Sequence, residues 1–219
     1  MAALSEYMSA ARECALPDAV IEKTKHHVLD TLAAMISGAG LLPGQAATRF
    51  ARGYGGDKVS TVVASDILCA PIEAALANGV MAHADETDDS HAPSLSHPGC
   101  AVVPAALAVG EQLGIGGTHF LRAVALGYDI GPRVTMCLGI PALSREYHRS
   151  SHSIAGAFGA AAAAGCAAAL DAQQMRWLLD YTAQQSSGIA AWQRDSEHIV
   201  GSTNWVGRQI PHHVAANGA

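Results

Sequence analysis

Apolar residues recur at three- and four-residue steps early in the chain. Val20, Ile21, Val28, Leu32, Met35 and Ile36 follow Leu16-Pro17-Asp18 and precede Gly38. Pro and Asp at the head with Gly at the foot punctuate a helix. Gly53, Gly55 and Gly56 break the pattern. Val59-Ser60-Thr61-Val62-Val63 is short and β-branched, which predicts a strand and at most a minor β-hairpin near 59–69. Helical spacing returns over Pro71–Ala84, Pro104–Leu113 and Phe120–Tyr128, and again over Ser153–Leu170 and Ala172–Gln185. The expected fold class is all-α. His26 and His27 fall inside the first helix and read as surface or packing residues.

Ser153–Leu170 carries no charge and is close to the roughly 18 residues of a short membrane span. Its large apolar residues are Ile154, Phe158 and Leu170, and the rest are mostly Ala and Gly. Such small side chains gain little on transfer to lipid, so the segment reads as a buried core helix and no membrane partner is expected. The same bias runs through the whole chain, which is 50% apolar with only 5% aromatics. Small residues let helices approach closely, and Ala has the best helix propensity.

The net charge is −6, and the 13 Lys and Arg residues are scattered. Nucleic acid requires a clustered positive footprint, so that partner is not expected. The cysteines at 14, 69, 100, 137 and 166 are odd in number and include no Cys-x-x-Cys pair. That pattern points to reduced thiols and a cytoplasmic protein. The first residues lack a secretory pattern.

The densest polar cluster is His83-Ala84-Asp85-Glu86-Thr87-Asp88-Asp89-Ser90-His91, followed by Ser96-His97-Pro98-Gly99. Carboxylates and imidazoles between apolar helices suit acid–base chemistry. Two other readings stay open: acidic capping of a helix start, and a divalent metal on His83, Asp85, His91 and His97. A second cluster, Glu146-Tyr147-His148-Arg149-Ser150-Ser151-His152, stands before the Ala-rich helix, which Ser151 or Ser153 can cap. Positive side chains beside a helix N-terminus suit a carboxylate. A serine hydrolase is disfavoured because the chain has no Gly-x-Ser-x-Gly elbow. A dinucleotide fold is disfavoured because Gly114-Ile115-Gly116-Gly117 follows no strand.

In this order the two clusters resemble the MmgE/PrpD family. Ala77-Asn78-Gly79, the His83–His91 run and His97-Pro98-Gly99 resemble its first site, and Gly156-Ala157-Phe158-Gly159-Ala160 resembles its second. Leu29-Asp30-Thr31-Leu32-Ala33 is also similar. The resemblance covers residues 1–199 and implies the helical domain of a cofactor-free lyase or isomerase, with no metal expected; the large Ala-rich faces predict self-association, as a homodimer. By resemblance, His97 and a second-loop histidine carry protons; the family's position falls on Ser150, between His148 and His152, of which His152 is favoured, while Glu86 stands where the family has Asp and Ser90 where it has Thr. Asp85, His91, His148 and Arg149 are the expected substrate contacts. The implied reaction is dehydration of a small 2-hydroxy polycarboxylate such as 2-methylcitrate, with a dicarboxylate epimerase as the alternative.

Departures from the pattern favour a second alternative, a truncated non-catalytic remnant or self-association module. The family's later lysines have no match, because the lysines here are Lys23, Lys25 and Lys58. Arg149, Arg194 or Arg208 are the candidate substitutes, although a guanidinium fork is not a point charge. The family's second α/β lid domain has no counterpart. Residues 200–219 read as an atypical, frameshifted tail.

Overall fold

Pro17 and Asp18 start a long helix as their spacing predicts, and most of the chain follows the same rule of apolar faces turned inward. The computed structural model describes residues 2–54, 56–139, 146–186 and 188–190. Arg194, Arg208 and the tail at 200–219 lie outside the described residues. The elements are α1 (Ala2–Ala10), α2 (Asp18–Ala39), α3 (Leu42–Tyr54), β1 (Ser60–Thr61), β2 (Leu68–Cys69), α4 (Pro71–His83), α5 (Gly99–Leu113), α6 (Gly117–Cys137), α7 (Ser151–Ala167) and α8 (Ala172–Gln185). A 3-10 turn spans Ala92–Ser94. The fold is all-α apart from one antiparallel hairpin, in register Ser60 with Cys69 and Thr61 with Leu68.

Central helix α4 packs against α2, α3 and α5, while α7 packs against α5, α6 and α8, and α1 lies on α8. Helix α5 therefore joins the two halves. Buried Asn78 of α4 holds the hairpin: its Oδ1 accepts from Val63 N–H at 2.9 Å and its Nδ2 donates to Thr61 C=O at 2.9 Å. No helix among the described residues is long and apolar enough to cross a membrane. The uncharged helix α7 is instead buried on nearly every side.

Helix α6 has its most extensive contact with α7, and glycine sets the spacing there. A Cβ at Gly131 would lie 2.3 Å from Ala155 O, and one at Gly127 would lie 2.8 Å from Gly159 O. The two backbones touch there, leaving no room for a side chain.

Several boundaries differ from the sequence expectation. Helices α1 and α3 lie outside the predicted set. Helix α5 begins at Gly99, with Pro104 inside it, and α6 runs from Gly117 to Cys137 with Pro132 inside it. Ser150, not Ser151 or Ser153, caps α7, its Oγ accepting from Ser153 N–H at 3.1 Å. Helix α8 has the predicted limits. Asp171 and Gln174 close a reciprocal capping box at its head.

Candidate active site

The loop 84–98 leaves the end of α4 and enters α5 beside the head of α7. It carries the first polar cluster, and three imidazoles meet where it passes α7. Ring centroids lie 5.2 Å apart for His83 and His97, 5.1 Å for His83 and His152, and 5.2 Å for His97 and His152. His83 ends α4, His97 stands two residues before α5, and His152 is the second residue of α7. Sequence positions up to 69 apart converge because α4, α5 and α7 pack side by side.

Successive acidic residues of the loop point to different partners. Asp88 turns inward, where both carboxylate oxygens lie 2.9 Å from His83 Nδ1. Its side chain is fully buried. Burial works against a charge on His83. The hydrogen bond and charge of Asp88, aided by Glu86 and Asp85, outweigh it and raise the His83 pKa. Asp89 turns toward three helices. It accepts from Gly99 N–H at 2.9 Å and Tyr128 O–H at 2.8 Å, and pairs with His27 Nδ1 at 3.2 Å. Burial opposes its charge, but the bonds from His27, Gly99 and Tyr128 hold its carboxyl below the ordinary value. Asp85 faces α2, taking hydrogen bonds from Ser37 Oγ and from Thr87 Oγ1. Those bonds overcome burial and lower its pKa as well.

Hydrogen-bond partners assign the tautomers of two histidines. His97 Nδ1 faces the Asp89 carbonyl at 2.8 Å and Asp88 Oδ1 at 3.9 Å. Both are acceptors, so Nδ1 bears the proton and Nε2 the lone pair in the neutral ring. His152 Nδ1 accepts from the His97 backbone N–H at 3.3 Å, so its own proton sits on Nε2. Cys100 Sγ lies 4.0 Å from that Nε2. Burial, then the charges of Asp88 and Asp89, push the Cys100 thiol well up, which keeps it neutral.

The remaining predicted site residues distribute around this centre. Ser90 Oγ lies 3.5 Å from His97 Nδ1, at the limit of a hydrogen bond. Glu86 is exposed on the loop, in a left-handed conformation at φ 54°. His91 is turned into its own bend, with Nδ1 2.7 Å from Ser94 Oγ. His148 and Arg149 are exposed on the approach to α7. There the His148 carbonyl accepts from Ala190 N–H at 2.9 Å, and Arg149 bridges with Ile189.

For a divalent metal, the geometry replaces the expected set. His83 and His97 stay together, but Asp85 and His91 are engaged elsewhere. Among the described residues, His83, Asp88 and His97 bring candidate ligand atoms within 4.8 Å of one another. An ion held by His83 Nδ1 would displace the His83–Asp88 hydrogen bonds.

His27 takes the packing role, one of the two expected for it, and adds a polar contact. It stacks on Tyr128 at 4.3 Å and reaches Asp89 at 3.2 Å. Asp89, Tyr128 and Cys100 were absent from the predicted site. Nothing local marks Tyr128, which lies 39 residues from Asp89. The weight of Asp88 had one sequence signal, namely acidic residues directly after a histidine that ends an apolar helix.

The MmgE/PrpD N-terminal domain matches residues 2–205. A cis-aconitate decarboxylase-like protein, oryM, of Aspergillus oryzae is 27% identical over 200 residues, covering 88% of this chain and 41% of that protein. Cis-aconitate decarboxylase of Homo sapiens is 32% identical over 156 residues, covering 68% of this chain and 32% of its own length. The Mus musculus enzyme is 30% identical over a similar share. The chain thus spans between about a third and two-fifths of the length of these relatives.

Proposed function

The chain belongs to the MmgE/PrpD family, and on that premise we propose that loop 84–98 and the head of α7 supply the acid–base groups of a lyase for a small polycarboxylate. The observation that carries this reading is the meeting of His97 and His152 in opposite tautomers, with ring centroids 5.2 Å apart. His97 Nε2, as base, takes a proton from a carbon beside a substrate carboxylate. His152 Nε2–H donates a hydrogen bond to the departing hydroxyl, and the proton taken by His97 passes to it, so that it leaves as water. The C–H and C–O bonds break, a C=C bond forms, and both rings end as they began. A 2-hydroxy acid such as 2-methylcitrate fits this sequence.

The relatives' names favour a decarboxylation on the same groups. There a C–C bond breaks, carbon dioxide leaves, and a histidine N–H supplies the proton that replaces it. Both reactions need positive charge beside the substrate carboxylates. Arg149 supplies it on the exposed approach to α7, and His83, whose pKa Asp88 raises, adds donor capacity within the cluster. Glu86 and Ser90, on the loop's outer side, position the substrate.

The experiment is proton NMR in heavy water on the purified full chain with cis-aconitate, citrate and 2-methylcitrate. Deuterium entering one of them, with loss of water or carbon dioxide, supports the lyase and distinguishes its two forms. A folded protein that exchanges none of the acids overturns it.

A further inference from the structure

Asp89 is bound through its side chain and its main chain at once, and the two attachments serve different structures. Its carboxylate takes donors from α2 (His27 Nδ1, 3.2 Å), α5 (Gly99 N–H, 2.9 Å) and α6 (Tyr128 O–H, 2.8 Å). A carboxylate has about four lone-pair sites, so three of them are committed in three directions. Its main-chain carbonyl accepts from His97 Nδ1 at 2.8 Å. Fixing the carboxylate also fixes the Cα, and with it the direction of that carbonyl. Two of the donors brace each other, since His27 stacks on Tyr128 at 4.3 Å. The third requires glycine, because a Cβ at Gly99 would lie 2.9 Å from Asp89 Oδ1 and 2.8 Å from Tyr128 Oη.

We propose that Asp89, clamped by His27 and Tyr128, is the positioning residue that holds His97 in the tautomer whose Nε2 carries the lone pair. The use made of that lone pair rests on the lyase reading above, while the tautomer itself does not. The neighbouring groups show why a clamp is needed. Ser90 Oγ stands 3.5 Å from the same Nδ1, and a hydroxyl donates as readily as it accepts. With the carbonyl displaced, Ser90 can donate to Nδ1 and move the ring proton to Nε2, which removes the base. Asp88 does not take the carbonyl's place, because it lies 3.9 Å from His97 Nδ1 and both its oxygens are engaged by His83.

The test is a long-range nitrogen–proton NMR correlation on the imidazoles of the 15N-labelled full chain at about pH 8, above the ordinary histidine range. It is run on the wild type, Tyr128→Phe and His27→Phe, the last of which keeps a ring against Tyr128. The wild type is expected to show His97 protonated on Nδ1, and each variant a mixture of the two tautomers. In each variant kcat for substrate proton exchange should fall roughly tenfold to a hundredfold with KM within about twofold, the signature of a misaligned group. His97 protonated on Nε2 in the wild type overturns the proposal, and so does a pure Nδ1–H ring with unchanged kcat in both variants. A wild type with the Nδ1–H ring, mixed tautomers in the variants and no exchange of any acid supports the clamp and removes only the lyase reading.

Discussion

At the scale of single residues, the site is a set of carboxylates each committed to its own partners, one for Asp88, two for Asp85 and three for Asp89. His97→Ala should abolish substrate proton exchange while leaving the helical circular dichroism signal intact; unchanged exchange would take His97 out of the chemistry. Asp89→Asn should cost about 1–3 kcal/mol, since it leaves buried donors poorly matched, and urea titration measures it. Asp89 is held below its unfolded value near 3.8, so its contribution is present above that value and is lost as pH falls through the folded one. Acid unfolding should therefore begin at a higher pH than in Asp89→Asn corrected for its lower starting stability. His83 has the opposite sign. Its pKa is raised from 6.5, so the His83–Asp88 contribution is full below that pH and is lost as pH rises through the folded value. Denaturant midpoints between about pH 6 and 9 should decline in the wild type and stay flatter in Asp88→Asn. Sequence marks His97 through His97-Pro98-Gly99, and narrows the second-loop histidine to His148 or His152, of which the structure brings His152 to His97. Tyr128, and the link of Asp89 to it and to His27, are not legible in the sequence, because these bonds join α2, the loop and α6 across intervals with no periodic signal.

At the scale of elements, the helices with a polar start and an apolar stripe were legible. Helix α8 has the clearest head, Asp171 with Gln174, and its limits are those the spacing predicts. For α5 the spacing predicts only Pro104–Leu113, because Pro104 resembles a helix start. In fact five residues precede it within the helix, from Gly99 on. Helix α3 was hidden by Pro43, Gly44 and Gly53, residues that usually mark turns. Gly44 is there for packing, as a Cβ would lie 2.2 Å from Gly38 O. The same logic makes the α6–α7 joint a sharp test. Gly131→Ala places a methyl 2.3 Å from Ala155 O and must push two helices apart. Overpacking of this kind should destabilise by about 1–3 kcal/mol in urea unfolding, whereas Gly114→Ala, at φ 63° with open space around it, meets only backbone strain.

At the scale of the whole molecule, apolar surface remains outside the core. Leu29 and Ile36 lie seven residues apart on α2, 67% and 61% exposed, and Ile72 at the head of α4 is 71% exposed. Two turns of helix place Leu29 and Ile36 on one side. The self-association expected from sequence should use such a face. Sedimentation velocity should then show a concentration-dependent shift that Leu29→Asp with Ile36→Asp abolishes; a monomer at every concentration in the wild type would exclude it. The all-α architecture was legible from small-residue content and helical spacing, but which faces stay uncovered depends on packing between distant helices.

The contact between α6 and α7 has a mechanical consequence for the site. His152 sits two turns above Gly159 on the same helix, and Gly159 meets Gly127 and Gly131 main chain to main chain. A joint closed mainly by main chain, with the Val102 side chain and Ala163 Cβ packed into it, has few rotamers to exchange as temperature rises. The mount that carries His152 should thus keep its alignment while looser, side-chain-filled seams elsewhere begin to soften, so that thermal loss of the imidazole geometry coincides with global melting rather than preceding it.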